Sequence, residues 1–148
     1  LENQIKAVQI YGNIGNWNVS NVSIMSNLFE NATRFNEDIS NWDTSNVTEM
    51  NEMFAGATSF NQPIENWDTN NVTDMSFMFY NARSFNQPIG NWDTSNVINM
   101  SNMFDGATSF NQDINAWKID NVWSLRNMFK NAPSFNRKNS TWCDDSCF

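Results

Sequence analysis

The sequence predicts an α/β repeat fold, a right-handed solenoid of about five coils of 25 residues, with short parallel strands on the concave face and short helices on the convex face. Tryptophan recurs with this period at positions 17, 42, 67, 92, 117 and 142. Valine keeps the same period at positions 22, 47, 72, 97 and 122, and Met or Leu at 25, 50, 75, 100 and 125. A unit this short cannot close a core alone, so each coil is expected to bury its apolar face on its neighbours.

The chain divides into three predicted parts. Residues 1–15 keep only part of the pattern, and the apolar stretch Ile5–Tyr11 is interpreted as an N-terminal cap over the open end of the solenoid. Residues 16–142 are the five coils, and residues 143–148 are the C-terminal end. The only two cysteines, Cys143 and Cys147, lie there. A small disulfide, which would imply an oxidising compartment, is favoured over two free thiols, and two thiolates without histidine fall short of a zinc site.

Each coil is predicted to contain one short helix, shown best by Asn71–Ala82. Its apolar residues recur at the spacing of one helix face, at Val72, Met75, Met78, Phe79 and Ala82. Asn71 suits the N-cap, and Asp74 stands three residues later, as in a capping box. Asn or Gly follows near the end, where a left-handed C-cap is wanted.

A short strand is predicted after the helix, at Asn91–Thr94. Pro88 just before it rules out a continuous helix, and period-two alternation turns Trp92 and Thr94 inward and Asn91 and Asp93 outward. Strands stack about 4.8 Å apart whereas helices need about 8–10 Å, so the strands are expected on the concave face. The Trp column could be a stacking platform for sugars, but recurrence in every coil favours a core ladder, together with the Met and Phe columns.

Six exposed polar residues form a candidate binding stripe on the concave face: Asn41, Asp43, Asn66, Asp68, Asn91 and Asp93. Stacked carboxylates repel one another, so each Asp is expected to bond backbone N–H groups, to share a cation such as Ca²⁺, or to be solvated. Backbone bonding is favoured, and no metal site is predicted. Three apolar residues on a face expected to be wet are contact candidates: Phe77, Tyr80 and Trp123.

Composition excludes several classes of function. The chain has no histidine, which removes histidine-based triads and metal sites. A net charge of −8 disfavours nucleic acid as a partner. No apolar run approaches the roughly 18 residues of a membrane span. The acidic residues recur with the repeat and form no unique pair, so no enzymatic activity and no cofactor are predicted.

The unit resembles two known repeats. Ile89-x-x-Trp92-x-Thr94-x-Asn96-Val97 resembles the core of a leucine-rich repeat with Trp and Thr at two apolar positions. The full unit, Trp-Asp-Thr-Ser-Asn-Val-Thr-x-Met-Ser-x-Met-Phe-x-x-Ala-x-Ser-Phe-Asn-Gln-x-Ile, resembles the 25/26-residue repeat of BspA-like bacterial surface proteins, also described as a lipoprotein-associated domain. The resemblance implies a leucine-rich-repeat-like, secreted or surface-anchored protein, for whose relatives adhesion or host-matrix binding is proposed.

The function predicted from these observations is a non-enzymatic surface repeat domain that mediates adhesion by binding a protein or a glycan, as an extracellular or cell-surface monomer. One alternative is a structural spacer within a larger surface protein. Another is ice or crystal-surface binding through a ladder of Thr44, Thr69 and Thr94, which the predicted alternation disfavours because it turns these residues inward.

Overall fold

The computed structural model describes residues 9–148, and in it the 25-residue units are stacked on one another. We number these units as repeats 1 to 5, each beginning at a tryptophan: 17–41, 42–66, 67–91, 92–116 and 117–141. The backbone of each repeat is hydrogen-bonded to that of the next. In repeat 3, for example, the amide of Phe79 donates to the carbonyl of Met103 in repeat 4 at 2.9 Å, and the amide of Asn81 donates to Asp105 at 2.8 Å.

The regular secondary structure of the described residues is sparse. Residues 9–11 are α-helical, and four short 3₁₀ helices span Ile14–Asn16, Ile89–Asn91, Arg137–Asn139 and Asp145–Cys147. Over the described range, β-structure is confined to isolated parallel bridges between neighbouring repeats: Ile24 with Glu49, Glu49 with Asp74, Asp74 with Asn99, and Asn99 with Ser124. The predicted α/β class, a leucine-rich-repeat-like solenoid with strands and helices, is therefore wrong, because most of the chain is turn and irregular structure.

The predicted helix at Asn71–Ala82 is replaced by consecutive tight turns. Phe77 and Asn81 have φ angles of 55° and 53°, in the left-handed region, and two such residues four apart break a right-handed helix. The N–H groups of Met78, Tyr80 and Ala82 each donate to a carbonyl three residues earlier. The amides between them donate to the next repeat, so the backbone is satisfied without i→i−4 bonds.

The predicted strand at Asn91–Thr94 is also wrong. Asn91 ends the 3₁₀ helix that begins at Ile89, and the amide of Trp92 closes this turn onto the carbonyl of Ile89 at 3.2 Å. Bonds between repeats run mainly through the turn segment instead. The predicted alternation is confirmed, since Trp92 and Thr94 are buried and Asp93 is exposed. Because the described repeats contain neither the predicted strand nor the predicted α-helix, the argument for a concave and a convex face no longer holds.

The predicted core columns are confirmed. In repeat 3, Trp67, Val72, Met75 and Phe79 are all buried. Phe rings stack within a repeat at 3.9 Å between centroids, as in Phe54–Phe60. Between repeats the distance is 5.5 Å for Phe79–Phe104 and 6.0 Å for Phe60–Phe85. A continuous aromatic core therefore runs the length of the stack, and each repeat depends on its neighbours for burial.

The two ends of the stack differ. At the C-terminal end, the carbonyls of Ser146 and Cys147 accept the amides of Asn127 and Phe129, as the next repeat would. Phe148 packs on Phe129 at 5.5 Å, and a disulfide joins Cys143 to Cys147. This C-terminal cap, residues 142–148, closes the core.

The N-terminal end is more open. Trp17 is 45% exposed, against 5% for its counterpart Trp42 in repeat 2. Of the predicted N-terminal cap, residues 1–8 lie outside the described residues. Among those described, no helix has the length and apolarity needed to cross a bilayer.

Candidate functional site

The six residues of the predicted polar stripe flank three buried tryptophans. Asn41 and Asp43 stand on either side of Trp42, and the same pattern recurs around Trp67 and Trp92. Each Trp points into the core, so its neighbours along the chain point outward, and all six stripe residues are exposed. The stripe thus presents one Asn–Asp pair in each of three successive units.

The carboxylates of the stripe are held by the turn that follows each of them. Asp43 Oδ1 accepts hydrogen bonds from the amide of Ser45 at 3.1 Å and from its hydroxyl at 2.6 Å. Asp68 accepts from the amide of Asn70 at 3.0 Å, and Asp93 from that of Ser95 at 3.0 Å. These are Asx turns, so each side chain is fixed in orientation by its own backbone.

The same turns lower the pKa of two stripe carboxyls. The Ser45 hydroxyl, followed by the Ser45 amide, holds the pKa of Asp43 below its ordinary value of 3.8. Ser95 lowers the pKa of Asp93 in the same way, with a smaller contribution from the charge of Lys118. Hydrogen bonds to the charged form favour that form, so both groups are anionic at neutral pH.

The side-chain amides of the stripe asparagines are not used by the described part of the fold. Within residues 9–148, the side chains of Asn41, Asn66 and Asn91 make no hydrogen bond with the protein. Another asparagine column behaves differently: Asn71 Nδ2 donates to the carbonyl of Ser45 in the preceding repeat at 2.7 Å, and Asn46, Asn96 and Asn121 do the same in their repeats. That column ties the repeats together, whereas the stripe leaves its amides to solvent.

The threonine ladder is inside the molecule. Thr44, Thr69 and Thr94 are 1%, 2% and 1% exposed. The Thr69 hydroxyl donates to the carbonyl of Asp93 at 3.0 Å, and its counterparts do likewise in their repeats. These hydroxyls tie neighbouring repeats together and present no surface to ice or a crystal.

Two of the predicted apolar contact residues meet in a groove. Phe77 and Tyr80 line a cavity of about 320 Å³ that opens on the surface of repeats 1 to 3. We call it the acidic–aromatic groove; it is lined by Glu30, Asn31, Glu52, Ala55, Gly56, Phe77, Tyr80 and Asn81. Trp123 lies outside this lining and is 74% exposed, beside Ile98, whose carbonyl accepts its amide at 3.0 Å.

Sequence reasoning missed the two glutamates of the groove. Glu30 and Tyr80 occupy the same position of the repeat, separated by the small residue Ala55, and Glu52 and Phe77 share another position. The available signal was that the residue type changes between neighbouring repeats at these two positions. Only the structure, in which repeats 1 to 3 are stacked, shows that these residues line one cavity.

Metal binding has little support in the described range. No group of three or more His, Cys, Asp or Glu side chains there could hold an ion. The two cysteines are joined to each other with a Cα–Cα distance of 6.2 Å.

Comparison with known proteins identifies one family. A family model described as "Mycoplasma protein of unknown function, DUF285" matches residues 2–101 and again residues 63–146. The two matched segments overlap and together span nearly the whole chain. No curated protein and no solved structure matches it.

Proposed function

This chain belongs to DUF285, a family of Mycoplasma proteins of unknown function, and we propose that it is a non-enzymatic surface repeat domain that binds a macromolecule through the polar stripe. One observation carries the proposal: three free amides, on Asn41, Asn66 and Asn91, lie on consecutive repeats beside carboxylates of fixed orientation. Each pair offers donors and acceptors that the fold itself does not use.

The geometry of the stripe suits a polymer with its own repeat. Trp42 and Trp67, which two of the Asn–Asp pairs flank, stack with ring centroids 6.4 Å apart, and the pairs recur once per repeat along the stack. The Asx turns fix the carboxylates before any ligand arrives, which reduces the entropy lost on binding. Hydroxyls of a glycan, or the backbone of an extended protein segment, would meet a regular row of hydrogen-bonding groups.

The same proposal places the domain outside the cell or on its surface. The disulfide between Cys143 and Cys147 supports an oxidising compartment. The resemblance to BspA-like surface repeats supports adhesion as the role, with a protein or glycan of the host matrix as partner. The net charge of −8 argues against nucleic acid.

A glycan array combined with a panel of extracellular-matrix proteins tests the proposal. Wild-type protein should bind at least one member, and the triple variant Asn41→Ala, Asn66→Ala, Asn91→Ala should lose that binding. A matched control replaces three exposed serines of another column that make no side-chain hydrogen bonds among the described residues, Ser59→Ala, Ser109→Ala and Ser134→Ala, and should bind like the wild type. No binding to either the glycan array or the matrix proteins would overturn the proposal and favour the spacer role.

A further inference from the structure

We propose that the acidic–aromatic groove of repeats 1 to 3 receives a cationic side chain, lysine or arginine, from a partner protein. The proposal does not rest on the polar stripe. It rests on the shape of the groove, on two carboxylates in its wall and on an aromatic pair beside them.

The groove is a cavity left by small residues between larger ones. Ala55 and Gly56 of repeat 2 lie between Glu30 and Asn31 of repeat 1 and Tyr80 of repeat 3. A Cβ atom added at Gly56 would lie 2.5 Å from Asn31 Oδ1, so the floor has no room for a larger residue. The volume of about 320 Å³ is suited to one long side chain rather than to a folded element.

The charge of the groove is uncompensated. Glu30 accepts from the side-chain amides of Asn27 at 3.1 Å and Asn31 at 3.3 Å, which orient its carboxylate. Glu52 is half-buried, and its carboxylate makes no hydrogen bond or ion pair within residues 9–148. The lining contains no basic residue. A carboxylate partly removed from water without a partner gains from an incoming cation.

The aromatic pair supplies the second attraction. Phe77 and Tyr80 contact edge to face, with ring centroids 5.8 Å apart and planes at 67°. A cation over the face of an aromatic ring is attracted by its quadrupole. Phe77 holds this place with a φ of 55°, a conformation that a bulky residue rarely adopts.

Lysine and arginine side chains can contact the carboxylates and the aromatic pair of the groove at the same time. Their alkyl stems can lie along the rings while the charged group reaches the carboxylates. A bare calcium ion is less well served, because it takes about 6–8 oxygen ligands and the groove offers only two carboxylates, one of them already hydrogen-bonded to Asn27 and Asn31.

Peptide titration followed by NMR tests the proposal on the intact chain. The probes are Ac-Gly-Lys-Gly-NH₂ and Ac-Gly-Arg-Gly-NH₂, with the neutral Ac-Gly-Nle-Gly-NH₂ as the matched peptide control. The cationic peptides should give saturable shifts at Glu52, Phe77 and Tyr80, and the norleucine peptide should not. Added NaCl should weaken the binding.

Three variants assign the effect to the groove. Glu52→Gln and Tyr80→Ala should each weaken the cationic peptides by about fivefold or more. Asp120→Asn removes an exposed carboxylate outside the groove. Its affinity for the cationic peptides should stay within about twofold of the wild-type value. Tyr80→Phe, which keeps the ring, should bind nearly as well as the wild type and guards against a folding artefact.

Two results would overturn the proposal. Equal shifts from the norleucine peptide would mean that the groove is simply apolar, and full binding by Glu52→Gln would mean that its charge has no role. Because the stripe is untouched in every variant, a failure here leaves the result of the glycan and matrix panels unaffected.

Discussion

The indole Nε1 of Trp92 donates a hydrogen bond to the backbone carbonyl of Ile64, 28 residues earlier, at 3.1 Å. The bond recurs with the same separation at Trp42, Trp67, Trp117 and Trp142. Each Trp therefore fills the core of its own repeat and donates to the carbonyl of the isoleucine that lies three residues before the previous Trp. This double role explains why the residue recurs in every unit, and it excludes these five rings as a platform for sugars.

Trp67→Ala should lower the free energy of unfolding by about 3–5 kcal/mol. The side chain is 4% exposed and stacks on Trp42 at 6.4 Å, so its removal leaves a cavity and takes away one of the two hydrogen bonds that the carbonyl of Ile39 accepts. Chemical denaturation measures the change. Trp123→Ala is the control, because that ring is 74% exposed and surface substitutions stay within about 0.5 kcal/mol. Similar losses in both variants would contradict the core assignment.

Gly56→Ala should destabilise the protein more than Gly12→Ala. Both glycines have φ angles near 70°, at 71° and 73°, where a Cβ atom costs roughly 1–2 kcal/mol. The added methyl at Gly56 would also meet Asn31 Oδ1 at 2.5 Å, whereas nothing lies within 4 Å of it at Gly12. Thermal melts of the two variants give the comparison. Equal losses of stability in the two variants would show that repeats 1 and 2 can move apart at Gly56 to accommodate the methyl group.

Ser45→Ala should raise the pKa of Asp43 toward its ordinary value of 3.8, because donation from the Ser45 hydroxyl is the main cause of its lowering. A carboxyl with a lowered pKa contributes stability above its unfolded value and loses it as the pH falls through the folded value. The variant should therefore show a weaker loss of stability in acid. NMR titration of the side-chain carboxyl measures the shift, and Asp93 in the same molecule serves as the internal control. An unchanged Asp43 titration would contradict the hydrogen-bond account.

Reduction of the Cys143–Cys147 disulfide should loosen the C-terminal cap. The chain-entropy model assigns about 2 kcal/mol to a loop this short. The amides of Asn127 and Phe129, which donate to carbonyls of the cap, should then exchange faster with deuterium. The amide of Phe79, inside the stack, should keep its rate. Uniform acceleration across all repeats would mean that the stack opens as one unit.

EDTA should leave the melting temperature unchanged. The stripe carboxylates already accept hydrogen bonds from their own turns, as at Asp68 with Asn70, and backbone bonding removes the need for a bridging cation. Thermal melts with EDTA and with added CaCl₂ provide the measurement. A drop with chelator, reversed by calcium through mass action, would reassign the Asp column as a metal site.

The core could be predicted from the sequence because burial follows the period alone. Any fold that stacks 25-residue units must place recurring Trp, Met and Phe inside, whatever the backbone does between them. The outward direction of Asp93 followed from alternation around Trp92, and this local rule holds without a strand. The free amides of the stripe could not be predicted, since Asn71 and Asn66 look alike until the carbonyls of the neighbouring repeat are placed.

The helix was mispredicted because apolar spacing does not specify the backbone. Residues at Met75, Met78, Phe79 and Ala82 face the core in a helix and in a run of tight turns alike. The missed signal lay in the polar positions: one column holds Asn27, Asn102 and Asn127, and another, four residues on, holds Asn31, Gly56 and Asn81. Asn and Gly are the residues that tolerate left-handed conformations. Two such columns inside one predicted helix indicate turns.

The C-terminal cap has a consequence for how such a chain can change length. Its carbonyls at Ser146 and Cys147 receive two of the amides that an internal repeat would offer to its successor. Duplicating or deleting 25 residues inside the stack therefore leaves the contacts with the cap unchanged, whereas any other length would move tryptophan off the core. The length of the chain can thus change in whole repeats under the same cap, and each added repeat lengthens the stack. Related chains could tune how far they extend without redesigning either the core or the end that closes it.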